Sequence, residues 1–310
     1  VVSSETDPLL SRVVRSNLKK TEVVMVSGSP GAGKSRLVRL GGTQLEKRGW
    51  CFLQCKFDRV AHPEPLSTLA HAFDEYFGRF LHCTKHHGSD KSTATATANS
   101  HCSCRSQQLR DRLTSLISLK DLQILAMYIP SLRRFLDLAL VAVPPDVNET
   151  LMASLFGALL LAMSTKDTPI FFFVDDLQWA DQLSLSMLEA FAKATHCGSL
   201  HLSSANRPSK GGLIDAEKDT YIMLVGSYRE QAVNDNQLFA KALRDFHQDV
   251  QDNSKNLTSI SLSGMTTETL NEMLSETLSL PKRRVRPLSE LVIQKTDGLP
   301  LFVIEFIRAL

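Results

Sequence analysis

The sequence predicts an α/β fold with a parallel sheet, and two patterns along the chain carry that prediction. Short apolar runs that are typical of strands alternate with segments whose apolar residues recur at helical spacing. One run, residues 170–174, has five consecutive apolar residues, as expected for a parallel strand that is buried on both faces. Strands that alternate with helices favour three layers, with helices on both sides of the sheet.

Each predicted strand is an apolar run with a polar, glycine or proline boundary. The first is rich in valine and runs into a glycine-rich stretch, and the second begins at Trp50. The third is entered by Pro169 and is followed by two aspartates. The fourth follows a polar, glycine-rich stretch, and the fifth follows a helical pattern. We expect the strands at residues 22–26, 50–57, 170–174, 221–225 and 257–262.

The predicted helices are recognised by apolar residues that recur every three or four positions. One example is an apolar stripe that we expect to pack on the sheet, formed by Leu66, Leu69, Ala70, Phe73 and Phe77. A Pro-Pro pair separates the two long helical segments that follow it. We expect helices at residues 34–45, 66–77, 109–140, 150–163, 184–194 and 237–246.

Changes in composition indicate the domain organisation. Residues 82–108 are rich in Ser, Thr, Ala and His, so we expect a disordered insertion there, and residues 196–220 form a second, polar insertion. We predict an α/β core over residues 1–262. Residues 263–310 show only helical patterns, in two segments divided by residues 281–287, which indicates the start of a truncated helical subdomain. Because the chain begins without Met and ends inside an apolar helical pattern, we expect a piece of a longer protein.

The composition is typical of a globular protein from a reducing compartment. Among 310 residues, 35 basic and 33 acidic side chains nearly cancel, so no overall charge attracts nucleic acid or anionic lipid. The longest mainly apolar stretch, residues 151–163, is shorter than the roughly 20 residues of a membrane-spanning helix. Six cysteines are too few for a disulfide scaffold in a chain of this size. We expect a soluble, cytoplasmic protein without membrane contact.

The main functional signal is Gly28-Ser-Pro-Gly-Ala-Gly-Lys-Ser35, which matches the P-loop pattern G-x-x-x-x-G-K-[ST] in full. It follows a predicted strand and opens a predicted helix, as the pattern requires. Glycines let backbone N–H groups wrap phosphates, and the helix N-terminus favours negative charge. We expect Lys34 to reach the β- and γ-phosphates and the Ser35 hydroxyl to bind Mg²⁺. The predicted nucleotide-binding residues here are Gly28, Ser29, Pro30, Gly31, Ala32, Gly33, Lys34, Ser35 and Arg36.

Asp175 and Asp176, at the end of the third predicted strand, supply a second part of the site. Mg²⁺ has to be held from the side opposite Ser35, and Asp175 is the expected holder. Asp176 is expected to orient or deprotonate the attacking water, so we group it with Lys34 as a catalytic candidate. Taken alone, the two aspartates are equally compatible with a turn or a helix cap. The complete P-loop favours the metal-site interpretation.

Arg229 and Pro300 extend the candidate site. Arg229 follows the fourth predicted strand, at the sheet edge where open α/β folds bind ligands. It is therefore a catalytic candidate that would sense the γ-phosphate, with a solvated surface arginine as the alternative. Pro300 is placed to begin the last helix, and simple helix punctuation also explains it.

Several segments together resemble the STAND branch of AAA-type P-loop ATPases, over roughly residues 20–310: SGSPGAGKSRLV, KFDRVAHPEPLSTLAHAF, PIFFFVDDLQWADQLSL, IMLVGSYRE and LVIQKTDGLPLFVIEFIRAL. More narrowly, they are similar to origin-recognition-complex-like AAA ATPases and to ATPase modules inside large sensor kinases. The resemblance implies a P-loop NTPase core of the AAA type with a C-terminal helical lid, ATP or ADP with Mg²⁺ as ligands, and a regulatory role. It also implies that Arg229 acts as a sensor and that Pro300 lies near adenine.

Some features depart from that family. The lid motif reads Gly298-Leu-Pro300 instead of Gly-Asn-Pro, which removes a polar contact. The family's upstream Gly-Arg-Glu segment, which helps hold the base, would fall at or before residue 1 and is not in this sequence. Asp176 is one carbon shorter than the glutamate of many fast AAA enzymes, and no arginine is an evident trans-acting finger. Slow hydrolysis is therefore expected.

These observations predict a Mg-ATP-binding, slowly hydrolysing switch domain. Its expected partners are ATP, other domains of the parent chain and signalling proteins, with nucleotide-driven self-association as a further option. A DNA-associated module of the replication-initiator type stays open because of the basic cluster at residues 282–286, although the near-zero net charge argues against nucleic acid. A nucleotide-binding scaffold without hydrolysis also stays open, although the intact Lys34, Ser35 and aspartates argue against it.

Overall fold

A parallel sheet of five strands forms the centre of the described fold. The computed structural model describes residues 21–59, 66–85, 96–139, 149–197, 221–252 and 257–309. The strands are β1 (Thr21–Gly28), β2 (Cys51–Lys56), β3 (Ile170–Asp175), β4 (Ile222–Ser227) and β5 (Leu257–Leu262). They lie in the order β2-β3-β4-β1-β5, and every neighbouring pair is parallel. The α/β fold with a parallel sheet is therefore confirmed, and each strand lies within two residues of its predicted position.

The strand register brings distant residues to one edge of the sheet. Asp175, the last residue of β3, lies beside Lys56 of β2. Gly28, the last residue of β1, lies beside Leu262 of β5. Because all the strands are parallel, the segments that follow their carboxyl ends share this edge.

Helices surround the sheet and occupy most of the connections between the strands. They are α1 (Lys34–Glu46), α2 (Ser67–Lys85), α3 (Ala96–Leu116), α4 (Leu119–Tyr128), α5 (Pro130–Leu136), α6 (Glu149–Met163), α7 (Gln182–Cys197), α8 (Glu230–Asp235), α9 (Gln237–Asp252), α10 (Thr267–Leu278), α11 (Lys282–Thr296) and α12 (Pro300–Ala309). One turn of 3₁₀ helix, Leu177–Trp179, follows β3.

Buried side chains cover both faces of the sheet, which gives the expected three layers. On one face, Phe171 and Phe173 pack with Val38 and Leu45 of α1. On the other face, Phe172 joins a larger cluster that includes side chains of α2 to α7 and α9. All six residues of β3 are buried, as its continuous apolar run predicts. Full burial of a side chain of this size stabilises the fold by roughly 1.5–3 kcal/mol.

The prediction of a disordered insertion at residues 82–108 is wrong wherever it can be compared with the structure. Helix α2 continues to Lys85, and α3 already begins at Ala96. Residues 86–95 lie outside the described residues. The described parts of this segment, residues 82–85 and 96–108, contain neither proline nor glycine, so a helix is permitted there. Leu109 and Leu113 are buried in the core, and they anchor the end of a helix that extends back through the polar residues.

The long helical segment predicted at residues 109–140 is divided into parts of three helices. Ser118 caps the start of α4, where its hydroxyl accepts a hydrogen bond from the backbone N–H of Asp121. Pro130 occupies the first turn of α5, the helical position that tolerates proline best. Local capping chemistry therefore overrides the continuous apolar pattern.

After β5 the described chain is helical, as expected, but it forms three helices where two segments were predicted. Pro281 is the cap of α11, and Pro287 lies inside that helix instead of separating two. Val285 and Val292 are buried on either side of Pro287, so packing maintains the helix across it. These helices share an apolar cluster of their own. The boundary near residue 262 stays a prediction.

Two other expectations can be compared with only part of the chain. No helix in the described ranges is both long and apolar enough to cross a membrane. Most of the predicted polar insertion at residues 196–220 lies outside the described residues, although residues 196 and 197 belong to α7.

Candidate functional site

The loop between β1 and α1 has a conformation that requires glycine. Gly28 has a φ of 147°, and a Cβ atom there would overlap the carbonyl oxygen of Leu262. Gly33, at the cap of α1, has a φ of 93°, in the left-handed region that disfavours other residues. The backbone N–H of Ala32 donates to the Ser29 carbonyl at 3.2 Å, which tightens the loop. The loop thus ends directly at the N-terminus of α1, where backbone N–H groups favour an anion.

Lys34 is buried under this loop. Its Nζ donates hydrogen bonds to the carbonyl oxygens of Gly28 and Ser29, at 2.9 and 3.0 Å. Burial lowers the pKa of Lys34 below its ordinary value, and the Asp176 carboxylate is the strongest influence in the opposite direction. A phosphate group is a stronger partner for an ammonium than a carbonyl oxygen, so these contacts are exchangeable.

Ser35 and Asp175 are joined directly. The Ser35 hydroxyl donates to Oδ1 of Asp175 at 2.8 Å, and the hydroxyl of Ser227 donates to the same oxygen at 2.5 Å. Sequence reasoning missed Ser227, whose only signal is its place at the end of β4.

The other oxygen of Asp175, Oδ2, is buried and forms no hydrogen bond within the described part of the chain. The Arg39 guanidinium is 3.8 Å away from it. A buried carboxylate oxygen without a hydrogen bond is costly, and a hard divalent cation with its water shell would satisfy it. Ser35 and Asp175 therefore fit a Mg²⁺ ion.

Asp176 adopts a left-handed conformation, with a φ of 58°, at the start of the 3₁₀ turn. Its Oδ1 accepts a hydrogen bond from Gln178 Nε2 at 2.8 Å and lies 3.8 Å from Arg229 Nε. Its Oδ2 lies 3.8 Å from Lys56 Nζ. A left-handed aspartate is uncommon, and it directs this carboxylate differently from that of Asp175.

Arg229 is the cap residue of α8 and follows β4. In addition to its ion pair with Asp176, its guanidinium carbon lies 5.9 Å from the centre of the Trp179 ring. The backbone N–H of Arg229 donates to Gln178 Oε1 at 3.1 Å. Sequence reasoning singled out Arg229 but missed both Gln178 and Trp179.

The residues after Arg229 also reach the P-loop. Glu230 Oε1 accepts hydrogen bonds from the hydroxyls of Ser27 in β1, at 3.2 Å, and Ser261 in β5, at 2.8 Å. Gln231 Nε2 donates to the Ser29 hydroxyl at 3.3 Å. The start of α8 is thus connected to β1, to β5 and to the P-loop.

Pro300 begins α12 beside the P-loop. The backbone N–H of Leu301 donates to the Gly31 carbonyl at 3.2 Å, and the Phe302 ring lies against Gly31. Arg36, the last residue of the segment predicted to bind nucleotide, is exposed on α1. The structure therefore brings the predicted P-loop, strand-end acids, Arg229 and Pro300 to the same edge of the sheet.

This arrangement agrees with a comparison with family models. The model described as "AAA ATPase domain" matches residues 3–202. The chain belongs to the AAA ATPase domain family. This AAA domain matches none of the curated proteins with which it was compared.

Solved structures that are similar to this AAA domain include the following two. Cdc6p from Pyrobaculum aerophilum is 11% identical, with a TM-score of 0.34; the alignment covers 86% of this chain and 45% of that structure. The bacterial conjugative coupling protein TrwBdeltaN70, in its unbound monoclinic form, is 13% identical, with a TM-score of 0.29 and coverages of 87% and 78%. The AAA domain thus spans less than half of the Cdc6p chain. The family assignment is based on the family model.

The basic cluster that kept a nucleic-acid function open lies at the start of α11. Two of its cations have acidic partners: Lys282 pairs with Glu272, and Arg286 with Glu290 at 3.0 Å. Its charge is therefore partly compensated within α10 and α11, so this surface favours nucleic acid less than the sequence alone suggests.

Proposed function

We propose that this AAA ATPase domain binds Mg-ATP, hydrolyses it slowly and acts as a nucleotide-dependent regulatory switch in a larger signalling protein. One observation carries the proposal: the Ser35–Asp175 hydrogen bond joins the end of a complete P-loop to a buried carboxylate. A simple turn or helix cap does not explain this pair, because its two residues belong to different elements.

In the proposed complex, the backbone N–H groups of the P-loop wrap the phosphates of ATP. Lys34 releases the carbonyl oxygens of Gly28 and Ser29 and binds the β- and γ-phosphates instead. Burial lowers the pKa of Lys34, and a bound phosphate would oppose that shift because an anion stabilises the ammonium. Binding therefore exchanges two neutral partners for anionic ones.

Ser35 and Asp175 would hold Mg²⁺, Ser35 through its hydroxyl and Asp175 through its carboxylate. When bound, the ion neutralises charge on the phosphates during transfer. Ser227 keeps the Asp175 carboxylate in place through its own hydrogen bond to Oδ1. That leaves Oδ2 available to the ion and its water shell.

Hydrolysis requires a base, and Asp176 is the proposed one. The oxygen of a water attacks the γ-phosphorus, the bond to the β–γ bridging oxygen breaks, and a water proton passes to the Asp176 carboxylate. Arg229, paired with Asp176 here, would turn toward the γ-phosphate. The ion pairs of Asp176 with Arg229 and Lys56 have to loosen before it can act, which supports slow turnover.

The switch proposal is supported by the contacts of the lid (residues 263–310) with the P-loop. Leu301 bonds to Gly31, so a phosphate that reshapes the loop also changes where α12 begins. Neighbouring domains, signalling partners or a second copy of the chain would respond to that movement. Occupancy by ATP or ADP then matters more than the rate of turnover.

The test compares Mg-ATP binding and single-turnover hydrolysis by the wild-type protein and Lys34→Ala. Lys120→Ala is the matched control, because Lys120 is an exposed lysine on α4. We expect ATP binding to be lost in Lys34→Ala, and both wild type and Lys120→Ala to release phosphate slowly. Equal binding by Lys34→Ala and wild type would overturn the proposal.

A further inference from the structure

The side chain of Gln178 bridges the two halves of the candidate site. It is buried, with 3% of its surface exposed, in the 3₁₀ turn after β3. Its Nε2 donates to the Asp176 carboxylate at 2.8 Å, and its Oε1 accepts from the backbone N–H of Arg229 at 3.1 Å. One amide group therefore contacts both the proposed base and the residue proposed to sense the γ-phosphate.

The two contacts require an amide and determine its orientation. The Asp176 carboxylate can only accept, and the Arg229 N–H can only donate, so one end of residue 178 has to donate and the other has to accept. An apolar side chain would leave both partners without this bond in a buried environment. A glutamate would keep the acceptor but would place a second carboxylate against Asp176.

The surroundings of Gln178 keep the turn rigid. Its backbone carbonyl accepts from Asn236 Nδ2 at 3.4 Å, which connects the turn to the loop before α9. The preceding residue, Leu177, packs closely against Gly226 of β4. The following residue, Trp179, lies near both the Arg229 and Arg59 guanidinium groups. The amide thus projects from a fixed support between the ends of β3 and β4.

We propose that Gln178 is a positioning residue that keeps the Asp176 carboxylate oriented and the Arg229 turn in place while ATP is hydrolysed. This inference rests on the proposed function. Arg229 shares Oδ1 of Asp176 with Gln178, so that oxygen loses one partner when Arg229 turns to the γ-phosphate. The hydrogen bond from Gln178 Nε2 then keeps the Asp176 carboxylate in its orientation. The second hydrogen bond, from the Arg229 backbone N–H to Gln178 Oε1, keeps the Arg229 backbone in place while its guanidinium moves.

The test uses Gln178→Met, which removes both contacts, and Gln178→Glu, which keeps only the acceptor. The control is Gln107→Met, because the exposed Gln107 of α3 donates to Asp111 at 2.9 Å and so has the same kind of bond in a distant element. Trp50→Phe in every protein leaves Trp179 as the only tryptophan, so its fluorescence quenching by acrylamide reports the turn.

We expect Gln178→Met to lower the single-turnover rate constant at saturating Mg-ATP about tenfold or more, part of the 10²–10⁴ that a general base typically supplies. ATP affinity should stay within about threefold of wild type, because the hydrogen bonds of Gln178 in the described structure go to Asp176, Arg229 and Asn236 and not to the P-loop. Trp179 should become easier to quench in Gln178→Met. In Gln178→Glu the rate should also fall while quenching stays near wild type.

Unchanged hydrolysis in Gln178→Met would overturn this inference and leave the proposed function intact. Equal losses of rate and affinity would also overturn it, since they would indicate general disruption of the site. A Gln107→Met variant as slow as Gln178→Met would do the same. If wild type neither binds nor hydrolyses ATP, the proposed function fails and this inference fails with it.

Discussion

The hydroxyl of Ser35 donates a 2.8 Å hydrogen bond to Oδ1 of Asp175, although 140 positions separate the two residues in the sequence. The contact joins the N-terminus of α1 to the carboxyl end of β3. Asp175 is 1% exposed, and its second oxygen forms no hydrogen bond among the described residues. The Arg39 guanidinium lies 3.8 Å from that second oxygen and forms no hydrogen bond with it, so a metal ion would satisfy the oxygen and the pair predicts metal dependence.

Asp175→Asn is expected to abolish the effect of Mg²⁺ on ATP binding. The substitution keeps the size of the side chain and removes its charge, so affinity with Mg²⁺ should fall about tenfold or more while affinity with a chelator changes little. Titration calorimetry with and without Mg²⁺ measures both. Asp167→Asn, an exposed residue before β3, is the control. Unaltered Mg²⁺ dependence in Asp175→Asn would exclude Asp175 as a metal holder.

Asp176→Asn is expected to separate binding from hydrolysis. The amide cannot accept a proton from water, so the single-turnover rate should fall by about 10² or more, whereas ATP should still bind. Loss of the ion pairs to Lys56 and Arg229 should make the Arg229 side chain more mobile. Phosphate release at saturating ATP gives the rate. The role assigned to this carboxylate is wrong if Asp176→Asn hydrolyses ATP like wild type.

ATP affinity is expected to fall in alkaline solution earlier than it would for an ordinary lysine. Burial lowers the pKa of Lys34, so the free protein loses this positive charge below the usual value of 10.5. Affinity should decrease as pH rises through the lowered pKa, and Lys34→Arg should bind without that decrease because a guanidinium stays charged. Equilibrium binding from about pH 7 to pH 10 measures this. If the ATP affinities of wild type and Lys34→Arg changed with pH in the same way, this prediction would be wrong.

The lowered pKa of Lys34 also affects the stability of the fold, and this effect changes with pH in the direction opposite to its effect on ATP affinity. A lysine whose pKa is lower in the folded state than in the unfolded state opposes folding while it is charged. That cost is fully present below the folded pKa of Lys34. It is relieved as pH rises through the folded pKa toward the unfolded value. The stability of wild type relative to Lys34→Met should therefore rise as pH rises through the folded pKa of Lys34.

The strands and the P-loop were predictable because their signals are local. The apolar run before Asp175 and the spacing from Gly28 to Ser35 lie within a few consecutive residues, and each pattern has few structural interpretations. The strand order was not predictable in this way, because it depends on pairing between segments that are far apart. Composition was misleading at the described residues 82–85 and 96–108, which are helical; buried Leu109 and Leu113 anchor the second of these helices through polar sequence.

The residues that sequence reasoning missed are single polar side chains with distant partners. Ser227 meets Asp175 across 52 positions, and Gln178 meets Arg229 across 51. Serine and glutamine are common on surfaces, so neither residue is distinctive until the fold places it beside a carboxylate. Glu230 is similar, because its serine partners lie on two different strands. The motif residues thus form the predictable part of the site, and their supports do not.

Gly298→Ala is expected to loosen the lid. Gly298 has a φ of 68°, and a Cβ atom there would overlap the carbonyl oxygen of Met265, whose N–H donates to the Gly298 carbonyl at 2.8 Å. Gly49→Ala is the matched control, since Gly49 has a φ of 91° but nothing within 4 Å of an added Cβ. Both variants have the left-handed strain of about 1–2 kcal/mol, and only Gly298→Ala adds the overlap.

In urea unfolding, Gly298→Ala should therefore lose about 1–3 kcal/mol more stability than Gly49→Ala, the usual cost of forcing atoms into packed space. Hydrogen exchange should locate the difference in α11 and α12. Because Leu301 bonds to the Gly31 carbonyl, ATP affinity should fall in Gly298→Ala and not in Gly49→Ala. Equal stability and equal ATP affinity in the two variants would mean that the contact between residues 265 and 298 does not hold the lid against the P-loop.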